Sequence, residues 1–162
     1  LQHGTDNVLA LHSLSKRSNL AGGRAGFYAG DTELVHYLRE VRKHGGLIVP
    51  GPVQAAAVAA FDDQDHVAVQ REIYLERLHL GLDLLRAAGA EVELPGGGFY
   101  LWAAAPDGDS WALARALAEN AGVIVSPSEF YGWRTDHVRF AAVQPTEDLR
   151  TAMKRMSGAA NA

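Results

Sequence analysis

The chain has 162 residues, of which 48% are hydrophobic, enough for a buried core. The formal net charge is −4 and the basic residues are dispersed, which argues against a nucleic-acid-binding protein. Cysteine is absent, which excludes disulfides and thiolate metal sites and is typical of the reducing cytoplasm. No apolar run reaches the roughly 18 residues of a membrane span, and no two histidines have the i, i+4 spacing of a helical metal site. We therefore expect a cytoplasmic protein with no metal ion, no nucleic-acid partner and no membrane partner.

The chain starts at Leu1, without a methionine, and a short polar stretch leads directly into an apolar run at residues 8–11. We expect such a start in the C-terminal part of a longer protein. No signal peptide is visible in this sequence.

Two strands and a helix are predicted first. The apolar runs at residues 8–11 and 24–29 are short and bounded by polar residues, as buried strands are. Because both runs are almost continuously apolar, they predict strands of a larger sheet that is covered on both faces. Asp31 then caps a helix that extends to residue 44, where Gly45 ends it.

Two further helices follow. Pro52 suits the first turn of a helix, and residues 53–61 are almost wholly apolar. We expect that helix to be buried, either in the core or at a subunit interface. Apolar residues at three- and four-residue spacing then predict a long helix over residues 63–88.

The second half of the chain alternates strands and helices. Residues 91–94 and 99–102 predict a hairpin with its turn at residues 95–98. Three glycines in that turn are also compatible with a phosphate loop, although no helix begins directly after them. The other predicted elements are helices at 111–121 and 146–156 and strands at 123–125 and 137–143.

Lys16 follows the first predicted strand, in what we expect to be a loop between two extended segments. A neutral lysine amine attacks carbonyl groups, and a nearby cation such as Arg17 or Arg24 would lower its pKa. Ser13 and Arg24 together offer a hydroxyl and a bidentate guanidinium, which suit a phosphate group. By spacing alone, Lys16 is equally compatible with an ordinary loop lysine and Arg24 with a surface cation.

Arg139 lies within an apolar predicted strand, where an unpaired charge is costly. The pattern alone leaves two possibilities open. Arg139 either faces solvent from one side of the strand or binds an anionic group.

The residues around Lys16 resemble the cofactor-lysine motif of the class I/II (fold-type I) aminotransferases. The match comprises Ser13-Leu-Ser-Lys16, Asn19-Leu-Ala-Gly22, Arg24 and Gly26-Phe27. The resemblance implies an α/β chain of the pyridoxal-phosphate-dependent transferase fold. Residues 1–62 would then be the C-terminal portion of the cofactor-binding large domain, and residues 63–162 a linking helix and the small domain.

The same resemblance implies roles for individual residues. Lys16 would form a Schiff base with pyridoxal 5′-phosphate, and Ser13 and Arg24 would hold the phosphate. Arg139 matches the arginine that binds the substrate α-carboxylate, and Phe99, in a Gly-Gly-x-Phe turn, would help to wall the site. Ser128 replaces a glycine that is usual in relatives, and a positive φ there would cost on the order of 1 kcal/mol.

The resemblance also implies a homodimer that transfers an amino group between an amino acid and 2-oxoglutarate. In its residue pattern the chain is most similar to actinobacterial succinyldiaminopimelate aminotransferases, which act in lysine and cell-wall precursor synthesis. No residue demonstrates recognition of the succinyl group; Arg17, Lys43 and Arg134 are conceivable partners for its carboxylate.

Other functions remain open at this point. A carbon–sulfur lyase or another amino-acid aminotransferase would share the same lysine and arginines. A non-catalytic fragment or dimerisation module would keep the fold alone. Because relatives carry further catalytic residues before the cofactor lysine, we expect residues 1–162 by themselves not to catalyse transamination.

Overall fold

A computed structural model of the chain describes residues 4–132 and 136–159. The chain divides into two compact units, the first ending at Gln70 and the second beginning at Arg71. The boundary falls inside a long helix.

The first unit begins with two antiparallel strands that enclose the lysine motif. Strand β1 (Leu9–Ser13) is followed by the one-turn helix α1 (Leu14–Arg17) and a 3-10 turn (Ala21–Gly23), and strand β2 (Gly26–Gly30) returns beside β1. Ser13 pairs with Gly26, where a Cβ would collide with the carbonyl oxygen of His12. Glycine is therefore required at position 26, where β2 begins.

The two predicted strands are confirmed, but the described part of this chain does not bury them. Within the described residues the β1–β2 sheet has two strands. Leu11 is 78% exposed and Phe27 is 45% exposed. The described chain supplies no third strand and no layer that covers the faces of this sheet.

Helices α2 (Thr32–His44) and α3 (Gly51–Asp62) complete most of the first unit. Asp31 caps α2, as predicted, and α2 ends at Gly45. Helix α3 starts with Pro52 in its first turn. Burial of α3 in the core of this chain is not observed: none of its residues is buried, and Val58 is 61% exposed. Burial of α3 at a subunit interface, the other expectation, stays a prediction.

The second unit is built on a three-stranded antiparallel sheet. Helix α4 (Asp65–Ala87) leads into it, and the sheet has the order β3-β5-β4. The strands of the sheet are β3 (Tyr100–Ala104), β4 (Ser126–Pro127) and β5 (His137–Ala141). The helices that follow α4 are α5 (Ser110–Ala121) and α6 (Thr146–Ala159). The core lies between the inner face of the sheet and the helices, and its fully buried members include Leu84, Leu85, Leu101, Leu117 and Val138.

Three of the predicted strands differ from the structure. Residues 91–94 form only a single bridge, between Glu91 and Ala104, and the Val92 carbonyl accepts a hydrogen bond from the Arg86 side chain. The strand expected at 123–125 lies at Ser126–Pro127. Residues 137–143 form a strand only as far as Ala141.

Alternation along β5 determines which side chains face outward. Val138 and Phe140 are buried, whereas His137, Arg139 and Ala141 are only partly buried. Trp102 of β3 lies opposite Arg139 in the register. The outer face of this sheet therefore carries the arginine that the sequence singled out.

None of the described helices combines the length and the apolar character needed to cross a membrane. Over residues 4–132 and 136–159, no three histidine, aspartate or glutamate side chains are grouped as a metal site would require.

Gly81 tests the packing of α4 on the sheet. A Cβ at this position would lie 2.5 Å from Cε1 of Phe140 and 3.1 Å from Cδ1 of Leu101. Alanine favours a helix over glycine by roughly 0.5–1 kcal/mol, but overpacking costs about 1–3 kcal/mol. Gly81→Ala should therefore lower the free energy of unfolding, measured by urea denaturation followed by circular dichroism. Gly158→Ala is the control, since nothing lies within 4 Å of a Cβ there. If Gly81→Ala were as harmless as the control, the described contact would be absent.

Asp31 gives the first unit a pH dependence. Its Oδ2 accepts the backbone N–H of Asn7 at 2.8 Å, and its Oδ1 accepts those of Glu33 and Leu34 at 2.9 and 3.0 Å. These bonds, that from Asn7 foremost, hold the pKa of Asp31 below its ordinary value of 3.8. A lowered folded pKa stabilises the protein above the unfolded pKa, and the contribution is lost as the pH falls through the folded pKa.

We expect Asp31→Asn to lower the melting temperature near neutral pH, because the variant loses the charge that those N–H groups favour. The difference from the wild type should shrink as the pH falls below 3.8. Melting curves at several pH values measure this difference. A gap that stayed constant down to the acid limit would mean that the carboxylate is not specifically stabilised.

Candidate functional site

The turn that carries Lys16 is a short helix rather than the expected loop. The Ser13 side chain caps α1 by accepting the backbone N–H of Ser15 at 3.1 Å. Leu14, the first residue of α1, is fully buried. Lys16 lies one residue before the end of this helix, and its side chain is exposed. The polar loop residues had suggested an irregular segment; the serine cap and the buried leucine make it helical.

Main-chain hydrogen bonds of Leu14 hold this turn against the returning chain. Its N–H donates to the carbonyl of Ala25, and its own carbonyl accepts the N–H groups of Ser18 and Leu20, all at 3.1–3.2 Å. The residue next to Arg24 is thereby tied to the turn that bears Lys16.

Arg24 has an unusual backbone. Its φ of 47° lies in the left-handed region, which costs a non-glycine residue roughly 1–2 kcal/mol. Its side chain is exposed and donates to the carbonyl of Ala21 at 3.1 Å. Strained residues of this kind cluster at ligand-binding sites. The strain is therefore a reason, independent of any motif, to consider Arg24 functional.

Ser13 and Arg24 line the same open cleft of about 1210 Å³ in the first unit. Ser15, next to Lys16, also lines it, as do three more cations: Arg39, Arg42 and Lys43. A hydroxyl, a guanidinium and a surplus of positive charge suit a phosphate or another anion. The structure thus brings Ser13 and Arg24 together in one cleft.

Of Arg17 and Lys43, the two described residues considered for a second carboxylate, Lys43 lines the cleft, and its Nζ lies 3.7 Å from Oε2 of Glu40. The Arg17 guanidinium donates hydrogen bonds to the Ala60 carbonyl near the end of α3 and to the Gln64 side chain just after that helix. The sequence around Arg17 does not predict these contacts. Arg134 lies outside the described residues.

In the second unit, the Arg139 guanidinium lies between two tyrosine rings. Its carbon is 4.4 Å from the ring centroid of Tyr100 and 4.5 Å from that of Tyr131. Arg139 is half-buried, and its Nε is buried without a hydrogen-bond partner among the described residues. Because buried donors are normally paired, this arginine is suited to receive an anion.

The Phe99 ring contacts the ring of Tyr100, which in turn contacts Arg139. Phe99 is 7% exposed, stacks on Tyr74 at 5.4 Å and contacts Tyr100 at 4.4 Å between ring centroids. The geometry allows Phe99 to support Tyr100.

Sequence reasoning missed the aromatic residues around Arg139. Trp102 stacks on His137 with centroids 5.4 Å apart and meets Tyr131 edge-on at 6.0 Å. His137 Nδ1 lies 2.8 Å from an oxygen of Asp136. The signal was present in the two-residue alternation of β3 and β5, which places Trp102 and Arg139 on one face.

Ser128 is not strained. It is absent from the left-handed region of φ, is fully buried, and its Oγ accepts the backbone N–H of His137 at 3.3 Å. The possible cost of a serine in place of glycine therefore does not arise.

Comparison with known proteins gives a consistent result. The chain is 45% identical over 151 residues to a probable aminotransferase of Mycobacterium tuberculosis, which covers 93% of this chain and 36% of the relative. It is 44% identical over 153 residues to the 4-dedimethylamino-4-oxo-anhydrotetracycline transaminase OxyQ of Streptomyces rimosus, covering 94% and 42%. The chain thus spans about two fifths of the length of these curated relatives.

Structural similarity extends over nearly the whole chain. The crystal structure of an aminotransferase from Neisseria meningitidis matches 98% of this chain and 42% of its own, with a TM-score of 0.85 and 34% identity. That fold is the fold-type I architecture expected from the motif.

The family described as "Aminotransferase class I and II" matches residues 1–156. The capped lysine turn, the strained arginine beside it and the tyrosine-flanked arginine all fall inside this range. The chain therefore belongs to the class I and II aminotransferases, a family that implies pyridoxal 5′-phosphate as its cofactor.

Proposed function

We propose that this chain is part of a pyridoxal-phosphate-dependent aminotransferase that moves an amino group between an amino acid and a 2-oxo acid, with Lys16 as the cofactor lysine. The observation that carries the proposal is the placement of Ser13 and Arg24 on one cleft, with Lys16 in the turn that Ser13 caps. Family membership supports the same assignment.

The described residues fit the cofactor chemically. Ser13 and Arg24 would hold the phosphate, since one supplies a hydroxyl and the other a planar pair of N–H donors. The strained backbone of Arg24 is explained if the residue binds a ligand. Lys16 is exposed in this chain and supplies the primary amine that the cofactor requires.

In the proposed reaction, the bound cofactor supplies a ring that withdraws electrons from the substrate α-carbon. Arg139 binds the substrate carboxylate and orients the α-carbon. The Lys16 amine removes the proton from the α-carbon and later returns a proton as an acid. Ser13 and Arg24 keep the phosphate end fixed while Lys16 moves that proton.

For the substrate we propose N-succinyl-diaminopimelate, with 2-oxoglutarate as the amino acceptor, in lysine and cell-wall precursor synthesis. Two observations support an acidic substrate: the similarity in texture around Lys16, and the cations Arg39, Arg42 and Lys43 on the cleft of Ser13 and Arg24. The relatives also include LL-diaminopimelate aminotransferases. Product analysis separates this reaction from that of a carbon–sulfur lyase or another amino-acid aminotransferase.

We also propose that the complete protein is a cytoplasmic homodimer. Helix α3 and the β1–β2 sheet leave Val58, Leu11 and Phe27 exposed. A second subunit would bury part of this apolar surface. Sedimentation of the full-length protein tests the dimer.

The role of Lys16 is tested by identifying the lysine that carries the cofactor. The sequence has three lysines, at positions 16, 43 and 154. Full-length protein is incubated with pyridoxal 5′-phosphate and reduced with borohydride, which fixes the cofactor to its lysine for mass spectrometry. We expect the label on Lys16, and we expect Lys16→Arg to lose both the label and the visible absorbance of bound cofactor.

Lys154→Arg is the matched control and should keep both signals. A label on any lysine other than Lys16 would contradict the assignment of Lys16. A wild-type protein with no label at all would favour the non-catalytic alternative, a fragment or dimerisation module that has kept only the fold.

The role of Arg139 is tested by kinetics of the full-length enzyme. A hydrogen-bonded charge contributes about 1.5–3 kcal/mol, so Arg139→Ala should lower kcat/KM for amino acids by about 10- to 150-fold, mainly through KM. Arg139→Lys should recover part of the loss, because it keeps the charge without the fork. Arg150→Ala, which removes a surface ion pair with Glu76, is the control. An unchanged KM in Arg139→Ala would place this arginine in contact with solvent only.

A further inference from the structure

We propose that Arg17 is a positioning residue that fixes the Lys16 turn by tying it to the C-terminal end of α3. The inference rests on the proposed function, since it concerns the placement of the cofactor lysine. It assigns to Arg17 a role different from those of a neighbouring cation or a substrate-binding group, which the sequence had suggested.

The Arg17 guanidinium makes short hydrogen bonds to two groups at the α3–α4 junction. Nη1 donates to the carbonyl of Ala60 at 2.8 Å, and Nη2 donates to Oε1 of Gln64 at 3.0 Å. Longer bonds of 3.4 and 3.5 Å reach the carbonyls of Phe61 and Asp63. The guanidinium also lies 5.2 Å from the centroid of the Phe61 ring. A single side chain thus connects the lysine turn to both sides of that junction.

The end of α3 needs such a partner. The last carbonyls of a helix have no intrahelical donor, and they carry the partial negative charge of the helix dipole. Helix α3 has no basic residue in its last turn. Arg17, from a different element, supplies both the N–H groups and the positive charge, and it is half-buried where it does so.

The contact between Arg17 and α3 also stabilises the Lys16 turn. Helix α1 has only four residues, and a helix of that length is not stable in isolation. Its N-terminal side is fixed by the Ser13 cap and by the burial of Leu14. On the C-terminal side, the N–H groups of Ser18 and Leu20 bond to the Leu14 carbonyl, and the Arg17 side chain adds a tie to a different element. Without Arg17, the C-terminal side of the turn would be held only by main-chain bonds within its own segment.

A displaced lysine affects catalysis more than attachment. Attachment to the cofactor requires only that the amine reach it, whereas proton transfer at the α-carbon requires an accurate position. A displacement of about 1 Å can reduce a rate by roughly 100-fold. Loss of Arg17 should therefore lower kcat, while the cofactor still labels Lys16.

The experiment uses Arg17→Gln and Arg17→Lys in the full-length protein. For each variant, kcat, KM for the amino acid and borohydride labelling of Lys16 are measured, together with the folded fraction by circular dichroism. We expect Arg17→Gln to lower kcat by about 10- to 100-fold per folded molecule, with KM changed less than threefold and the label still on Lys16. Arg17→Lys should recover part of kcat, because it restores a charged donor but not the fork.

Arg86→Gln is the matched control, because Arg86 also donates to a main-chain carbonyl, that of Val92, in the other unit. It should leave kcat unchanged. Should Arg17→Gln fold poorly, Gln64→Ala removes one acceptor of the same guanidinium and should lower kcat in the same direction but by less.

The outcomes distinguish this inference from the proposed function. A wild type that is not labelled at Lys16 overturns both. A wild type labelled at Lys16, with normal kcat per folded molecule in Arg17→Gln and Gln64→Ala, overturns the role of Arg17 alone. A loss of kcat that only matches the loss of folded protein also overturns it, because Arg17 would then be merely structural.

Discussion

The burial of Leu14 is the constraint on which the lysine site depends. This residue is fully buried, and its main chain bonds forward to Ser18 and Leu20 and across to Ala25. Lys16 is therefore held in place by an apolar neighbour two residues earlier. The Lys16 side chain is thus exposed while its backbone is fixed, because Leu14 in the same turn is buried.

In the second unit, the position of Arg139 is determined by a strand. Burial of Val138 and Phe140 orients β5, and the two-residue period then places Arg139 on the opposite face. Tyr100 and Tyr131 flank the guanidinium and leave Nε without a partner among the described residues. The faces of aromatic rings stabilise the cation without occupying its N–H donors, so the arginine remains able to bind a carboxylate.

Features fixed by local sequence were predictable. Asp31 caps α2 and Gly45 ends it because caps depend on neighbours within a few residues. The Lys16 motif was recognised for the same reason. Residues 53–61 are not buried within this chain, because burial depends on what the rest of the molecule provides to cover a helix. The contacts of Arg17 span 43 to 47 residues along the chain, and no short-range pattern reports them.

Exposed apolar side chains in the first unit belong to a chain that spans about two fifths of the length of its curated relatives. Leu11 and Phe27 on the β1–β2 sheet, and Val58 on α3, belong to segments with the composition of buried elements, yet they are exposed in this chain. Leu14, by contrast, is buried, and Arg17 donates a hydrogen bond to the Ala60 carbonyl near the end of α3. Both contacts belong to the Lys16 turn itself, so the described chain accounts for the conformation of the turn although apolar surface around it is exposed.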